Sequence, residues 1–450
     1  MQNKSSIGYF RLLRQNDSFR NLWYGQVVSE LGDWLNSIAI YALILKLSDS
    51  GMAMAGAMMA KLLPIVLISP VAGVIVDRIS RKTVMIVSDL LRFIVVLGFL
   101  FVESQDTLWL IYALVIIGIS LSGFFEPARS AIIPSLVPKE HLVTANALSG
   151  STWSVMLAFG AALGGVVVSL FGIRVAFIVD ACTFLLSAWF ISKIPSEAKP
   201  SGEPKKKNGY QELVDAIRFL IAEPVLLVLT LLKSGLAVVG GIMTLIPLMA
   251  SQALSKPASL SLGIGILYSA RGLGAALGPL LVKRIFGETA AVLQWAIAGA
   301  FFLKAVSYLF LANAHNLWTL SLGVAAATLF GSIIWVFSSA LIHLSTPDPY
   351  LGRVFSFELA MMTLVMGISN WGVGFAIDEL GLTSSQVALG MAALVTLPGL
   401  LWTGFLTFVR NQLKQGLCVG SVCPVDPSGF NPVPRVPEGL AEEKVQAEVK

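Results

Sequence analysis

Charge is what this chain has least of. Only 13% of its 450 residues are Asp, Glu, Lys or Arg, about half the share of an ordinary soluble chain. Cysteine and histidine are also scarce, with three of each. Three cysteines do not make a disulfide framework, and Cys418 and Cys423 offer too few ligands for a metal centre. The histidines, His141, His315 and His343, fall on different loops and helix ends. No His-x-x-x-Asp pair or Asp-rich cluster stands ready for acid–base or metal-assisted chemistry. The phosphate-cradling Gly-x-x-x-x-Gly-Lys-Ser/Thr loop is missing, so ATP-driven work by this chain has no support. Residues 1–20 are polar and basic without an apolar core, and no cleavable signal peptide is expected. The short alternating segments of a transmembrane barrel are absent too. We expect no cofactor and no metal.

What the chain does contain is long apolar runs. Hydrophobic residues make up 56% of the sequence, and the mean hydropathy is +0.80. A helix needs about 20 apolar residues to cross a bilayer, and by that measure the runs divide into about twelve spans. The first six are 22–47, 51–76, 83–104, 108–131, 147–171 and 174–194. A polar stretch, 195–209, carries Lys205, Lys206 and Lys207, and 212–222 reads as a short amphipathic helix on the membrane surface. The last six spans are 224–253, 258–283, 289–312, 317–345, 352–377 and 384–409. The tail, 410–450, is rich in proline and charge and is expected to be disordered. The fold class is therefore an all-α polytopic membrane protein. Its domains are an N-terminal segment (1–21), a six-helix bundle (22–194), a basic linker (195–223), a second six-helix bundle (224–409) and the tail.

The net charge of +5 is not a nucleic-acid footprint, because the basic residues are parcelled into short loops. Most of them fall in loops on one side; Lys46, Arg174 and Lys256 fall on the other. The positive-inside rule then places both termini in the cytoplasm, in a plasma or inner membrane. A weak internal repeat supports duplication. Pro279, Lys283 and Arg284 stand in the second half where Gly73, Asp77 and Arg78 stand in the first. Pro138-x-x-x-Leu142 likewise recurs as Pro347-x-x-x-Leu351.

Between the second and third spans lies a dense charge cluster with Gly73, Asp77, Arg78, Arg81 and Lys82. It resembles the G-x-x-x-D-R-x-G-R-[RK] loop of the major facilitator superfamily, with Ser80 in place of the second glycine. The resemblance implies twelve helices in two six-helix halves, with a substrate bound between them. More of the chain resembles the drug- and siderophore-exporting branch, of the enterobactin-exporter and macrolide-efflux type. That likeness rests on Phe19-Arg20, Gly25-Gln26 and Gly32-Asp33, on Pro127-Ala128-Arg129 with Pro134, on Ala145-Asn146-Ala147-Leu148, on Asp180-Ala181 and on Gly352-Arg353-Val354-Phe355. One position departs: Ala161 stands where drug antiporters often carry a proline in the fifth span. The implied function is secondary active export of an amphipathic organic molecule, as a monomer, by alternating access and proton antiport. A lysophospholipid or other lipid flippase of the same fold is the alternative, and a membrane-embedded enzyme a remote one.

An ionisable side chain deep in a bilayer costs at least about 2.5 kcal/mol to insert, so each is a functional candidate. In the first span Gln26, Glu30, Asp33, Ser37 and Tyr41 share one helical face. Asp33 should sit roughly 15 Å from the inner end, and burial favours the neutral form of a carboxylic acid, as a proton carrier requires. Against this stands a permanent pairing of Glu30 and Asp33 with Lys61 or a backbone amide. Lys61, Lys233 and Arg271 also fall near mid-depth. In the facilitator arrangement Lys233, on the seventh span, is the foremost basic candidate for substrate contact. Lys304 is expected to snorkel or to serve helix packing. Asp89 and Arg92 read as an i, i+3 ion pair supporting the loop, and Glu126 and Arg129 as gate or scaffold. Trp34, Trp153, Trp335, Trp371, Phe124 and Phe125 could line a site for a bulky ligand. Gly73, Asp77, Arg78, Arg81, Lys82 and Arg353 are expected to form a cytoplasmic gate, their cations held by Asp77 and by helix C-termini.

Overall fold

The computed structural model describes residues 8–195, 218–254, 257–287 and 289–414. Most of the basic linker, Ser201 included, and the tail with Cys418 and Cys423 lie outside the described residues, as does the side chain of Asp77. Among the described residues every regular element is helical. A short helix α1 (Tyr9–Gln15) leads into α2 (Asp17–Leu47), α3 (Gly51–Arg78), α4 (Arg81–Gly98), α5 (Leu108–Leu136), α6 (Leu142–Phe171) and α7 (Ile173–Ser192). The second half comprises α8 (Pro224–Ala237), α9 (Ile242–Ala253), α10 (Pro257–Phe286), α11 (Ala290–Ala312), α12 (Leu317–Ser345), α13 (Asp348–Asp378) and α14 (Ser384–Lys414).

In hydrocarbon each backbone N–H and C=O must find its partner within the segment, which leaves the helix as the open-ended solution. Polar residues at the run ends then set the boundaries. Asn16 accepts a hydrogen bond from the Phe19 amide, and Asn316 from the Thr319 amide. Among the described residues, 11 segments are long and apolar enough to cross a membrane, α8 and α9 counting together as Pro224–Ala253. The remaining span is α3, whose described apolar stretch is Gly51–Ile65. The outer surface is apolar, with Leu67, Leu170 and Trp318 well exposed, while Asp89, Asp180, Lys233, Lys304 and Glu358 are buried. That inversion of the soluble pattern is what a lipid solvent selects.

The halves meet along two seams. Where α6 crosses α10, a Cβ at Gly165 would lie 2.8 Å from the Ser261 carbonyl oxygen, and one at Gly265 would lie 2.6 Å from that of Ala161. Only glycine permits this approach. The Ser269 hydroxyl, on α10, donates to the Ala158 carbonyl at 2.6 Å. Where α3 meets α13, the Asp378 carboxylate accepts from the Ser50 hydroxyl (2.5 Å) and from the amides of Gly51 (2.8 Å) and Met52 (2.9 Å). An acid from one half thus caps the N-terminus of a helix in the other. Both seams lie toward the end of the bundle marked by the Ser48–Ser50 turn. Toward the opposite end, which carries the 79–80 turn, Glu126 and Trp153 are about half exposed on the wall of a central cavity.

The seventh span, read from sequence as one helix, is broken. Residues 238–241 form turns between α8 and α9, and α13 lies against the gap. Ser369 donates to the Val238 carbonyl (2.7 Å) and accepts from the Gly241 amide (2.9 Å). Thr244 donates to Asn370 at 2.8 Å. A Cβ at Gly241 would sit 2.6 Å from the Ser369 carbonyl, so the Gly240-Gly241 pair allows α13 to approach this closely. Non-helical backbone at this depth persists because neighbouring helices take over its hydrogen bonds.

Candidate functional site

The cavity between the halves measures about 600 Å³, within the range of small-molecule sites. Its wall comes mainly from α2 to α7, and the second half adds Met243, Tyr268, Arg271, Met366 and Asn370. The expected face of α2 is there: Glu30, Asp33, Ser37 and Tyr41 line the cavity. Gln26, one turn before Glu30, is buried and holds the wall together. Its amide donates to Glu30 (2.8 Å) and to the Ser149 carbonyl (3.0 Å), and its oxygen accepts from Arg129 (3.0 Å). Arg129 also binds Glu126 at 2.6 Å, so a polar chain runs from Glu126 through Arg129 and Gln26 to Glu30.

Asp33 has a different partner from the one anticipated. Its carboxylate is 42% exposed to the cavity and binds Arg92 Nη2 at 2.5 Å. Lys61 instead donates to the Ser37 and Tyr41 hydroxyls, each at 2.9 Å. The expected i, i+3 pair of Asp89 and Arg92 within α4 is present at 4.0 Å. The guanidinium turns to Asp33 on α2 and lies over the Phe184 ring at 4.1 Å. Asp180, on α7, completes the surroundings of Arg92 and is fully buried. Neither oxygen of Asp89, nor Oδ2 of Asp180, has a hydrogen-bond partner among the described residues. One arginine therefore gathers three carboxylates, one of them open to the cavity.

The cation ranked first from sequence lies elsewhere. Lys233 is buried against Glu358 of α13 at 2.9 Å and does not line the cavity. The Trp335 ring covers it at 4.7 Å. Glu358 had not been singled out; its signal was an acid within an apolar run. Lys304 does not snorkel. It is buried and donates to the Ala327 carbonyl at 2.6 Å, which joins α11 to α12. Of the aromatic candidates, Trp34 and Trp153 line the cavity, whereas Trp335, Trp371, Phe124 and Phe125 do not.

In the 79–80 turn, Lys82 donates to the Ser192 (2.7 Å) and Ile194 (2.5 Å) carbonyls at the end of α7. Arg78 is exposed and Gly73 lies within α3. Arg353, near the start of α13, stands 5.6 Å from the Tyr350 ring. Arg271 lines the cavity beside Tyr268, at 5.8 Å from its ring.

Two helical bundles around a charged, aromatic cavity are the architecture of a membrane transporter. Residues 8–413 match the transmembrane secretion effector family, and the chain belongs to this family of the major facilitator superfamily. It is 28% identical to an uncharacterized facilitator-type transporter of Bacillus subtilis, YfiS, over 86% of this chain and 94% of the relative. It is 27% identical to the enterobactin exporter EntS of Salmonella choleraesuis, over 79% and 84%. A putative bacilysin exporter of Bacillus subtilis, BacE, shares 29% identity over 46% of this chain and 51% of its own. The fold resembles the nucleoside transporter NupG (TM-score 0.64, 14% identity, 87% of this chain and 99% of that one). It also resembles a bacterial homologue of the lysosomal transporter Spinster, solved in an inward-facing conformation (TM-score 0.62, 14% identity, 89% and 98%).

Proposed function

We propose that this facilitator exports an amphipathic organic molecule from the cytoplasm by alternating access, in exchange for protons, as a monomer and without enzymatic activity. The observation that carries this reading is Asp33, a carboxylate at the cavity wall whose arginine is shared with two buried acids. When Asp33 takes a proton, Arg92 loses its cavity-side partner and turns toward Asp89 and Asp180. When Asp33 gives the proton up, the pair re-forms. A group that trades its counter-ion for a proton in this way can carry protons against a substrate moving the other way.

With both termini in the cytoplasm, the Asp378 and α6/α10 seams close the outer face and the cavity faces inward. The exporter names of EntS and BacE support the outward direction. The turn after α3 serves as the inner gate, with Lys82 anchored on α7 and Arg78 free to cross to the other half as that face closes.

Uphill export into everted membrane vesicles tests the coupling. Asp33→Asn should abolish transport driven by a proton gradient while leaving substrate binding within about threefold of wild type. Full gradient-driven transport by this variant would move coupling away from Asp33, to Glu30 first. Wild-type transport indifferent to the gradient, with lysophospholipid as the preferred cargo, would replace antiport by lipid movement.

A further inference from the structure

The cavity's carboxylates and cations are not matched. On the α2 to α5 side Asp33 is engaged by Arg92, Glu126 by Arg129, and Oε1 of Glu30 by the Gln26 amide, while its Oε2 has no hydrogen-bond partner among the described residues. Two cations of the cavity, Lys61 on α3 and Arg271 on α10, have no ion-paired carboxylate among the described residues. Lys61 is held by two neutral hydroxyls, on Ser37 and Tyr41. Arg271 lies 5.8 Å from the Tyr268 ring and makes no ion pair with a carboxylate among the described residues. An ammonium or guanidinium drawn out of bulk water without a counter-charge is costly, so the cavity wall is short of negative charge beside these two groups.

The two cations are linked by a stack that crosses the seam. Lys61 Nζ lies over the Tyr41 ring at 4.7 Å, Tyr41 stacks on Tyr268 at 5.5 Å, and Arg271 faces Tyr268 from the second half. Trp34 packs on Tyr268 at 5.9 Å. A positive end on each half, with flat aromatic surface between, is complementary to a ligand with an anionic group on an apolar ring body.

We propose that Lys61 and Arg271 bind the anionic group of the transported molecule, with Trp34, Tyr41 and Tyr268 receiving its apolar body. The substrate class is thus amphipathic organic anions, or zwitterions entering anion first. This rests on the reading of the cavity as the transport site.

Three compounds of one shape separate the charge from the body: 1-naphthylacetate, 1-naphthylacetamide and 1-naphthylmethylamine. Their dissociation constants are measured by equilibrium dialysis on the full chain in lipid nanodiscs. The acetate should bind about tenfold tighter than the amide or the amine, the worth of a charge-assisted contact. Arg271→Gln and Lys61→Gln should each bring the acetate to the amide's affinity and leave the amide unchanged, and Arg271→Lys should keep the preference. Unchanged amide binding shows that a variant is folded. Equal binding of all three, preference for the amine, no binding of any, or an acetate preference that survives both Gln variants would overturn the proposal. Gradient-driven export without an anion preference would leave the transport reading standing. An intact preference without any such export would remove the transport reading and keep the anion site.

Discussion

In the first half Arg92 gathers Asp33, Asp89 and Asp180 beside a wall that water reaches, whereas in the second half Lys233 and Glu358 close on each other in a dry interior. The first arrangement has more acids than bases and an open side, and the proposed exchange of partners on protonation rests on that surplus. The second is one to one and covered by Trp335, so its charges serve each other. Burying a charge in lipid is expensive in either case. The two charge clusters therefore differ in access and in the ratio of acids to bases, not in the cost of burial. The cavity wall follows the same division, since most of its polar groups come from α2 to α7.

Breaking Arg92 should have the largest effect. Arg92→Met leaves two buried acids beside Asp33 without a cation, at about 3–5 kcal/mol, and should abolish transport. Thermal unfolding in detergent and vesicle export measure the two losses. Lys233→Met should cost nearly as much by orphaning Glu358. Here, however, the double variant Lys233→Met, Glu358→Leu should regain most of the stability and the transport, because an apolar pair can replace a buried ion pair. A stable double variant that does not transport would place Lys233 in the mechanism and dissolve the contrast between the halves.

The seam between the halves comes next. Asp378→Ala removes the acceptor for the Gly51 and Met52 amides but leaves the Ser50 cap on α3, and should cost the contact between the halves about 1 kcal/mol. A cysteine placed at Ala55, opposite Gly374, should then be labelled from outside about tenfold faster. Unchanged labelling would mean that glycine packing alone closes this face. The smallest effect is expected at Lys304. Lys304→Met removes one hydrogen bond and a buried charge together, so stability should stay within about 1 kcal/mol of wild type.

The helices were legible because a lipid-spanning run is long and unmixed, and the α2 face was legible because Glu30, Asp33, Ser37 and Tyr41 repeat at helical spacing on one segment. The partners of these groups were not. Arg92 meets Asp33 across 59 positions and Lys233 meets Glu358 across 125, and no local period encodes which helices become neighbours. Sequence proximity favoured Asp89 for Arg92, but the nearer residue in sequence is the farther one in space. The break in the seventh span was hidden for a similar reason. Gly240-Gly241 marked a weak point, yet the hydroxyl of Ser369 that sustains it is 128 positions away.

That break also constrains the order of assembly. When the ribosome has produced Pro224–Ala253, α13 has not been synthesised, and no Ser369 is present to accept from Gly241 or to donate to Val238. An unsatisfied amide in hydrocarbon costs several kcal/mol, so the newly inserted segment stays a continuous rod. It bends only when α13 arrives and supplies the missing bonds. The break is therefore expected to form late in biogenesis, and a nascent chain truncated before α13 should hold a continuous seventh span.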